Sequence, residues 1–304
     1  MTLRRLLHWK FVFHDLILPL LRRLPPKQAD RALTGIGRLL DLVQPWRRKR
    51  IRRSVARVRT TANAPWETAT VCRRLAASIP RYLARDGLLD GLSDTEALKR
   101  FDIDGWDHYE SATAEGRGVI LVGSHFGAHL PALHALYRKG ARLRLLVQRP
   151  RHVSKYLQSK FDEVDDRPQS RFFVRRGLTT GEAAERILLA RAALREGRTI
   201  YLNGDIPWSG SNTREATLLG RTRQFLSLWC DLAVLTQAPV ILIFAKHLAD
   251  GRFHVRFETP LNLVAGEESA TFHRYFELLE TGILNHPEEA MPYLLWRSFN
   301  PEVP

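Results

Sequence analysis

Apolar residues follow two different rhythms along this chain. Through roughly the first hundred positions they recur at three- and four-residue spacing, as in Leu33, Ile36, Leu40 and Val43 and again in Leu75, Ile79, Tyr82 and Leu83, which predicts amphipathic helices. Pro80 would kink or divide the second of these. From Arg100 onward, short aliphatic runs alternate with helical stretches. Strands are expected at Gly118–Gly123, Leu143–Gln148, Phe172–Val174, Thr199–Asn203, Pro239–Ala245 and Phe253–Phe257. Helices are expected at Ala128–Arg138, Val153–Val164, Gly181–Arg195 and Phe225–Thr236, with a helical tail from Glu267 to Arg297. Such alternation implies an α/β fold with a largely parallel central sheet flanked by helices. The change of rhythm divides the chain into an N-terminal helical region over 1–95 and an α/β domain over 96–304.

Charge changes that picture. The chain of 304 residues carries a formal charge of +15, and from Arg4 to Arg59 sixteen Lys and Arg stand against three acidic residues, leaving 31 basic and 29 acidic for the rest. A basic arm on a nearly neutral body suits docking to an anionic membrane surface better than it suits a groove that reads nucleic acid, so no nucleic-acid partner is expected. The apolar run Leu3–Leu21 is broken by Lys10, His14, Asp15 and Pro19 and flanked by Arg4, Arg5, Arg22 and Arg23. Too short and polar for a confident spanning helix, it suits one lying in the membrane interface; a buried core helix with charged ends is the alternative. Trp46–Arg53 could be a solvated helix face or a head-group contact. Two cysteines, Cys72 and Cys230, exclude a disulfide scaffold.

Candidate chemistry gathers at strand ends, where open parallel sheets bind ligands. Three such ends carry polar residues: Ser124-His125, Arg175-Arg176 and Asn203-Gly204-Asp205. His125, in a turn with Gly123 and Gly127, is available as a general base or equally as a cap for the following helix. His129, four residues on, invites a metal reading, but Phe126 stands where the glutamate of a His-Glu-x-x-His helix would be, and no metal is expected. Arg175 and Arg176 could bind phosphate through their guanidinium forks or simply be surface charge. Asp205 could pair with them or orient a base, and Trp208–Arg214 reads as a flexible loop over the site. Dinucleotide, Walker and serine-elbow motifs are all missing, which disfavours nucleotide and serine-hydrolase chemistry; no cofactor is expected.

The order of these features resembles the lipid A late acyltransferases of the lauroyl and myristoyl type, within the lysophospholipid acyltransferase superfamily. The likeness is most specific in Gly116-Arg-Gly-Val-Ile-Leu-Val-Gly-Ser-His125-Phe-Gly. It continues in Phe173-Val-Arg175-Arg176, Leu194-Arg-Glu-Gly197 with Asp205 following, Leu219-Gly220, Ala238-Pro239-Val240 and His286-Pro287-Glu288-Glu289. The resemblance implies a glycerolipid acyltransferase-like fold at the cytoplasmic face of a bacterial inner membrane, working in lipid A and lipopolysaccharide biosynthesis. It implies an acyl donor, acyl carrier protein or acyl-CoA, and a glycolipid acceptor. By position, His125 would be the base and Asp205 a catalytic partner. Ser124, Gly127, His129, Arg175, Arg176 and Gly220 would contribute to substrate binding. One position departs from the family pattern, which has Glu or Asp five residues after the histidine where this chain has Leu130. Either another group, Asp205 or His129, replaces that carboxylate, or the chain is a catalytically impaired relative that binds lipid.

Overall fold

The computed structural model describes residues 12–147, 153–163, 180–210 and 212–300. A π-helical turn, Val12–Ile17, leads into α1 (Leu18–Leu21), followed by α2 (Pro26–Val43), α3 (Pro45–Thr61) and α4 (Thr68–Ala84). A 3-10 turn (Arg85–Leu89) and α5 (Asp94–Leu98) close this layer. Proline opens both α2 and α3 at the first helical position, where its missing N–H is no loss. On α2 the fully buried stripe is Ala29, Leu33 and Gly37, while Val43, expected inward, is exposed. Gly37 lets α2 close onto the backbone of Ala76 and Ala77 in α4, where a Cβ would collide. Pro80 lies inside α4, which runs on through it to Ala84.

The second part contains β1 (Phe101–Asp104), α6 (Trp106–Ala114), β2 (Val119–Gly123), α7 (His129–Arg138), β3 (Leu143–Leu145), α8 (Lys155–Glu163), α9 (Thr180–Arg195) and β4 (Thr199–Asn203). It continues with β5 (Thr213–Leu218), β6 (Arg221–Leu226), α10 (Leu228–Thr236), β7 (Val240–His247), β8 (Phe253–Phe257) and α11 (Glu268–Asn285). A 3-10 turn, Pro287–Glu289, and α12 (Met291–Leu295) complete the described elements. Six strands form one sheet in the order β1-β8-β7-β2-β4-β3. All neighbours pair parallel except β7 with β8. Alternate residues of β2 feed two cores, Ile120 and Val122 on one face and Val119 and Leu121 on the other. Helices α3, α4 and α9 to α12 cover the first face, and α6 to α8 the second. A strand buried on both sides reads as an unbroken apolar run, which is why β2 was evident from the sequence.

The largely parallel sheet and flanking helices agree with expectation, as do β2, β4, β7 and β8 in outline. Three features differ. Strand β1 escaped notice because Phe-Asp-Ile-Asp is only four residues long. The tail is not one helix but α11, a 3-10 turn and α12, broken at Pro287. The stretch 213–226, for which the sequence suggests only the end of a loop at Arg214 and a helix start at Phe225, is an antiparallel hairpin of β5 and β6. Its mostly polar strands carry little hydrophobic signal, but Leu219 (φ 54°) and Gly220 (φ 71°) form a two-residue turn of the kind that selects hairpins. The expected strand at Phe172–Val174 lies outside the described residues. No described helix is long and apolar enough to cross a membrane.

Candidate functional site

Parallel register builds the site. Gly123 of β2 is the partner of Asn203 of β4, so the residues two beyond each, His125 and Asp205, emerge level with one another. The Gly204 amide donates to the Gly123 carbonyl at 3.0 Å and locks the two strand ends together. The Tyr275 hydroxyl donates to the same carbonyl at 2.8 Å. Asp205 is fully buried and accepts three hydrogen bonds. His125 Nδ1 lies 3.0 and 3.1 Å from its two carboxylate oxygens, and the His125 backbone N–H donates to Oδ2 at 2.8 Å. The Tyr293 hydroxyl donates to Oδ2 at 2.5 Å.

Burial by itself would raise the Asp205 pKa, but the charge of His125 and the bonds from His125 and Tyr293 outweigh it and hold the carboxyl below its usual range. Tyr293 moves the other way. Burial, then the Asp205 charge, push its hydroxyl well above 10.0, so it stays a donor. The His125 side chain retains 22% exposure, set among the rings of His129 (5.5 Å between centroids), Phe299 (5.5 Å) and Trp296 (6.2 Å). A histidine with one nitrogen on a buried carboxylate and a partly open ring can take up and return a proton. Two other histidine–carboxylate pairs are more enclosed. His134 meets Asp86 at 3.4 Å with both side chains at or below 1% exposure, and His247 meets Glu289 at 2.7 Å.

The remaining sequence candidates fall at different distances from this pair. Ser124 is buried, with its Oγ accepting the Phe126 N–H at 3.3 Å. Gly127 adopts φ 55°, and a Cβ there would collide with the Ala245 carbonyl. Its amide donates to the Glu289 carbonyl at 3.0 Å, and that of Ala128 to the Ala245 carbonyl at 2.9 Å, so the turn after His125 is clamped from two sides. His129 opens α7 and sets its ring at a tilt beside both His125 and Tyr82 (5.9 Å). Gly220 sits at the β5–β6 hairpin tip, where a Cβ would strike the Thr61 carbonyl at the end of α3. Arg175 and Arg176 lie outside the described residues.

Leu130 is 1% exposed and belongs to the apolar core on the α6–α8 face. The carboxylate on the histidine ring is supplied by Asp205, eighty residues away in sequence. Tyr293, Tyr275, Trp296 and Phe299 had no local signal, since only folding brings the tail onto the sheet edge. Beside them, a shallow depression is framed by Leu219, Tyr293, Phe299 and Asn300 and carries Arg221 and Arg223. Among the described residues no group of three or more His, Cys, Asp and Glu side chains comes together as a metal site.

Fold and site together define an α/β protein with a histidine–aspartate pair at the carboxyl ends of adjacent parallel strands. The chain belongs to the bacterial lipid A biosynthesis acyltransferase family, whose family model matches residues 1–295. That membership supports acyltransferase activity in lipid A biosynthesis, which in general takes an acyl donor and a lipid acceptor. A comparison with curated proteins found no match.

Proposed function

We propose that this protein is a membrane-associated acyltransferase that moves a fatty acyl chain from an acyl thioester to a glycolipid hydroxyl. The thioester is carried by acyl carrier protein or coenzyme A, and the acceptor is a glycolipid such as a lipid A precursor. The reaction takes place at the cytoplasmic face of a bacterial inner membrane. The observation that carries this reading is the His125–Asp205 pair. With Nδ1–H donated to Asp205, the His125 Nε2 lone pair accepts the proton of the acceptor hydroxyl as its oxygen attacks the thioester carbonyl. The C–O bond forms, a tetrahedral oxyanion collapses, and the C–S bond breaks. The departing thiolate recovers the proton from the imidazolium, whose charge Asp205 stabilises meanwhile. No acyl-enzyme is required.

Substrate binding in this reading falls to groups around the pair. Ser124, Gly127 and His129 shape the turn, and Arg175 and Arg176 bind the acceptor's phosphate or polar head. Gly220 sets the hairpin that carries Arg221 and Arg223 beside the neighbouring depression, and their guanidinium groups have the chemistry to meet an anionic head group. The test is turnover of acyl carrier protein thioesters with glycolipid acceptors. The His125→Ala variant should lose it, and unchanged turnover in that variant overturns the mechanism. The second reading, a catalytically impaired lipid-binding relative, draws on Leu130. Lipid binding by the wild-type protein without turnover of any thioester would establish it instead.

A further inference from the structure

We propose that the corner where α2 meets α3 is a wedge that inserts into an anionic bilayer, with Leu39, Leu42, Val43 and Trp46 as the inserted residues. This deepens the membrane-associated reading above and rests on it. Nine large hydrophobic side chains stand exposed among the described residues, and six of them lie between Leu16 and Trp46. Four of the six are contiguous with the corner. Leu39 (58% exposed), Leu42 (70%) and Val43 (59%) are spaced by three and one and so share the outer side of the last turns of α2. The chain turns at Gln44 (ψ 77°), and Trp46 (65%) follows as the second residue of α3.

These residues are not spare core. The inner face of α2 is already filled by Ala29, Leu33 and Gly37 against α4, and the described part of the first apolar run turns Phe13, Leu18 and Leu21 into the same small cluster. Aliphatic tips left outside a satisfied packing arrangement mark an interaction surface.

Charge selects the occupant. Helix α3 has eight Lys and Arg in seventeen residues and no acidic residue. Its buried side is Ile51, Ser54, Val55 and Val58, which leaves Arg48, Lys49, Arg50, Arg52 and Arg53 exposed beside the apolar corner. A polyanion such as nucleic acid would satisfy the cations but would gain nothing from three exposed aliphatic residues. A bilayer with anionic head groups satisfies both. Acyl-chain boundary takes the Leu and Val tips, the interface takes Trp46, and phosphates take the guanidinium and ammonium groups.

The experiment measures partition of the full chain onto vesicles, with acyl transfer to detergent-dispersed acceptor read in parallel. Wild type should bind phosphatidylglycerol-containing vesicles and bind phosphatidylcholine vesicles far more weakly. The Leu42→Ser/Val43→Ser variant should lose about tenfold in partition by removal of inserted aliphatic surface. Lys49→Ala and Arg50→Ala should each lose about fivefold, an effect that fades as salt rises. Melting temperatures should match wild type, because all four side chains are exposed. Partition of Leu42→Ser/Val43→Ser within twofold of wild type overturns the wedge. So does a charge-dependent affinity for a single-stranded oligonucleotide or an acidic protein without vesicle binding. If vesicle binding follows the wedge while no variant, wild type included, transfers acyl groups in detergent, the wedge stands and the acyltransferase reading fails.

Discussion

Replacing Asp205 by Asn removes a charge from a place where solvent cannot screen it. Asp205 is fully buried, and His125 Nδ1 sits 3.0 Å from one of its oxygens. The proposed transition state puts a positive charge on that ring. Two unit charges about 4 Å apart at an effective dielectric of about 20 attract by about 4 kcal/mol, and about 1.4 kcal/mol per decade makes that about 10³ in rate. A tautomer error adds to this. The Asn amide can present either its oxygen or its NH₂ to Nδ1, and the second choice forces the ring proton onto Nε2, where the acceptor hydroxyl should lose its own. In the serine-protease template the equivalent change costs about 10⁴. The expected fall in kcat for Asp205→Asn is therefore about 10³ to 10⁴, with KM for the thioester little changed, because Asp205 is enclosed. Stability should fall too, since Oδ2 accepts from the His125 amide and from Tyr293, and an NH₂ in that place leaves donors facing donors. The assay is single-turnover release of free thiol from an acyl carrier protein thioester, with circular dichroism as the control for folding. A folded Asp205→Asn protein that keeps more than about a tenth of wild-type kcat refutes the reasoning, because the loss from charge alone should exceed that hundredfold.

Four further predictions follow from the same geometry. Leu130→Glu, which restores the family's usual acid, should destabilise the protein by several kcal/mol rather than raise activity, because it buries an unpaired charge in an apolar core; urea titration reads the stability and the thioester assay the activity. Gly127→Ala should cost about 1–3 kcal/mol and lower turnover, since it strains a left-handed residue and drives a methyl group into the Ala245 carbonyl. Glu289→Ala should cost about 1–3 kcal/mol by leaving His247 without its buried hydrogen-bond partner, while Arg81 keeps its ion pair with Asp30. Burial by itself would raise the Glu289 pKa, but the charge of His247, a bond from it and the charge of Arg81 hold it below 4.5. Its stabilisation is thus fully present above 4.5 and lost as pH falls through the lower folded value; the variant's Tm should fall less steeply in acid than that of wild type. Burial raises the Cys72 thiol to about 11, so at pH 8 only about one molecule in a thousand carries its thiolate; labelling with a disulfide reagent should be slow in the native protein and complete in denaturant.

Much of this protein was written locally. A strand buried on both faces is largely apolar, so Val119–Gly123 and the Ile-Tyr-Leu centre of Thr199–Asn203 declared themselves, and glycines flanking His125 declared a tight turn. Once two such strands are parallel, their ends lie on one edge, and His125 with Asp205 becomes a candidate pair before any coordinate is known. Charge counts likewise located the basic N-terminal arm. What remained hidden depends on which surfaces meet. Helical spacing marks an apolar stripe but not its partner. Leu33 went inward, while Val43, in the same stripe, was left outside at the corner because α4 packs on the earlier turns. The hairpin of β5 and β6 is stabilised by pairing across a turn, not by its own apolar content. The carboxylate on His125 was the largest open question. With Leu130 at the family's acid position, the sequence leaves Asp205, eighty residues on, and His129, four residues on, as substitutes with no means of ranking them. Register between β2 and β4 ranks them, because hydrogen bonding of Gly123 to Gly204 fixes Asp205 against the ring while α7 carries Leu130 into the core.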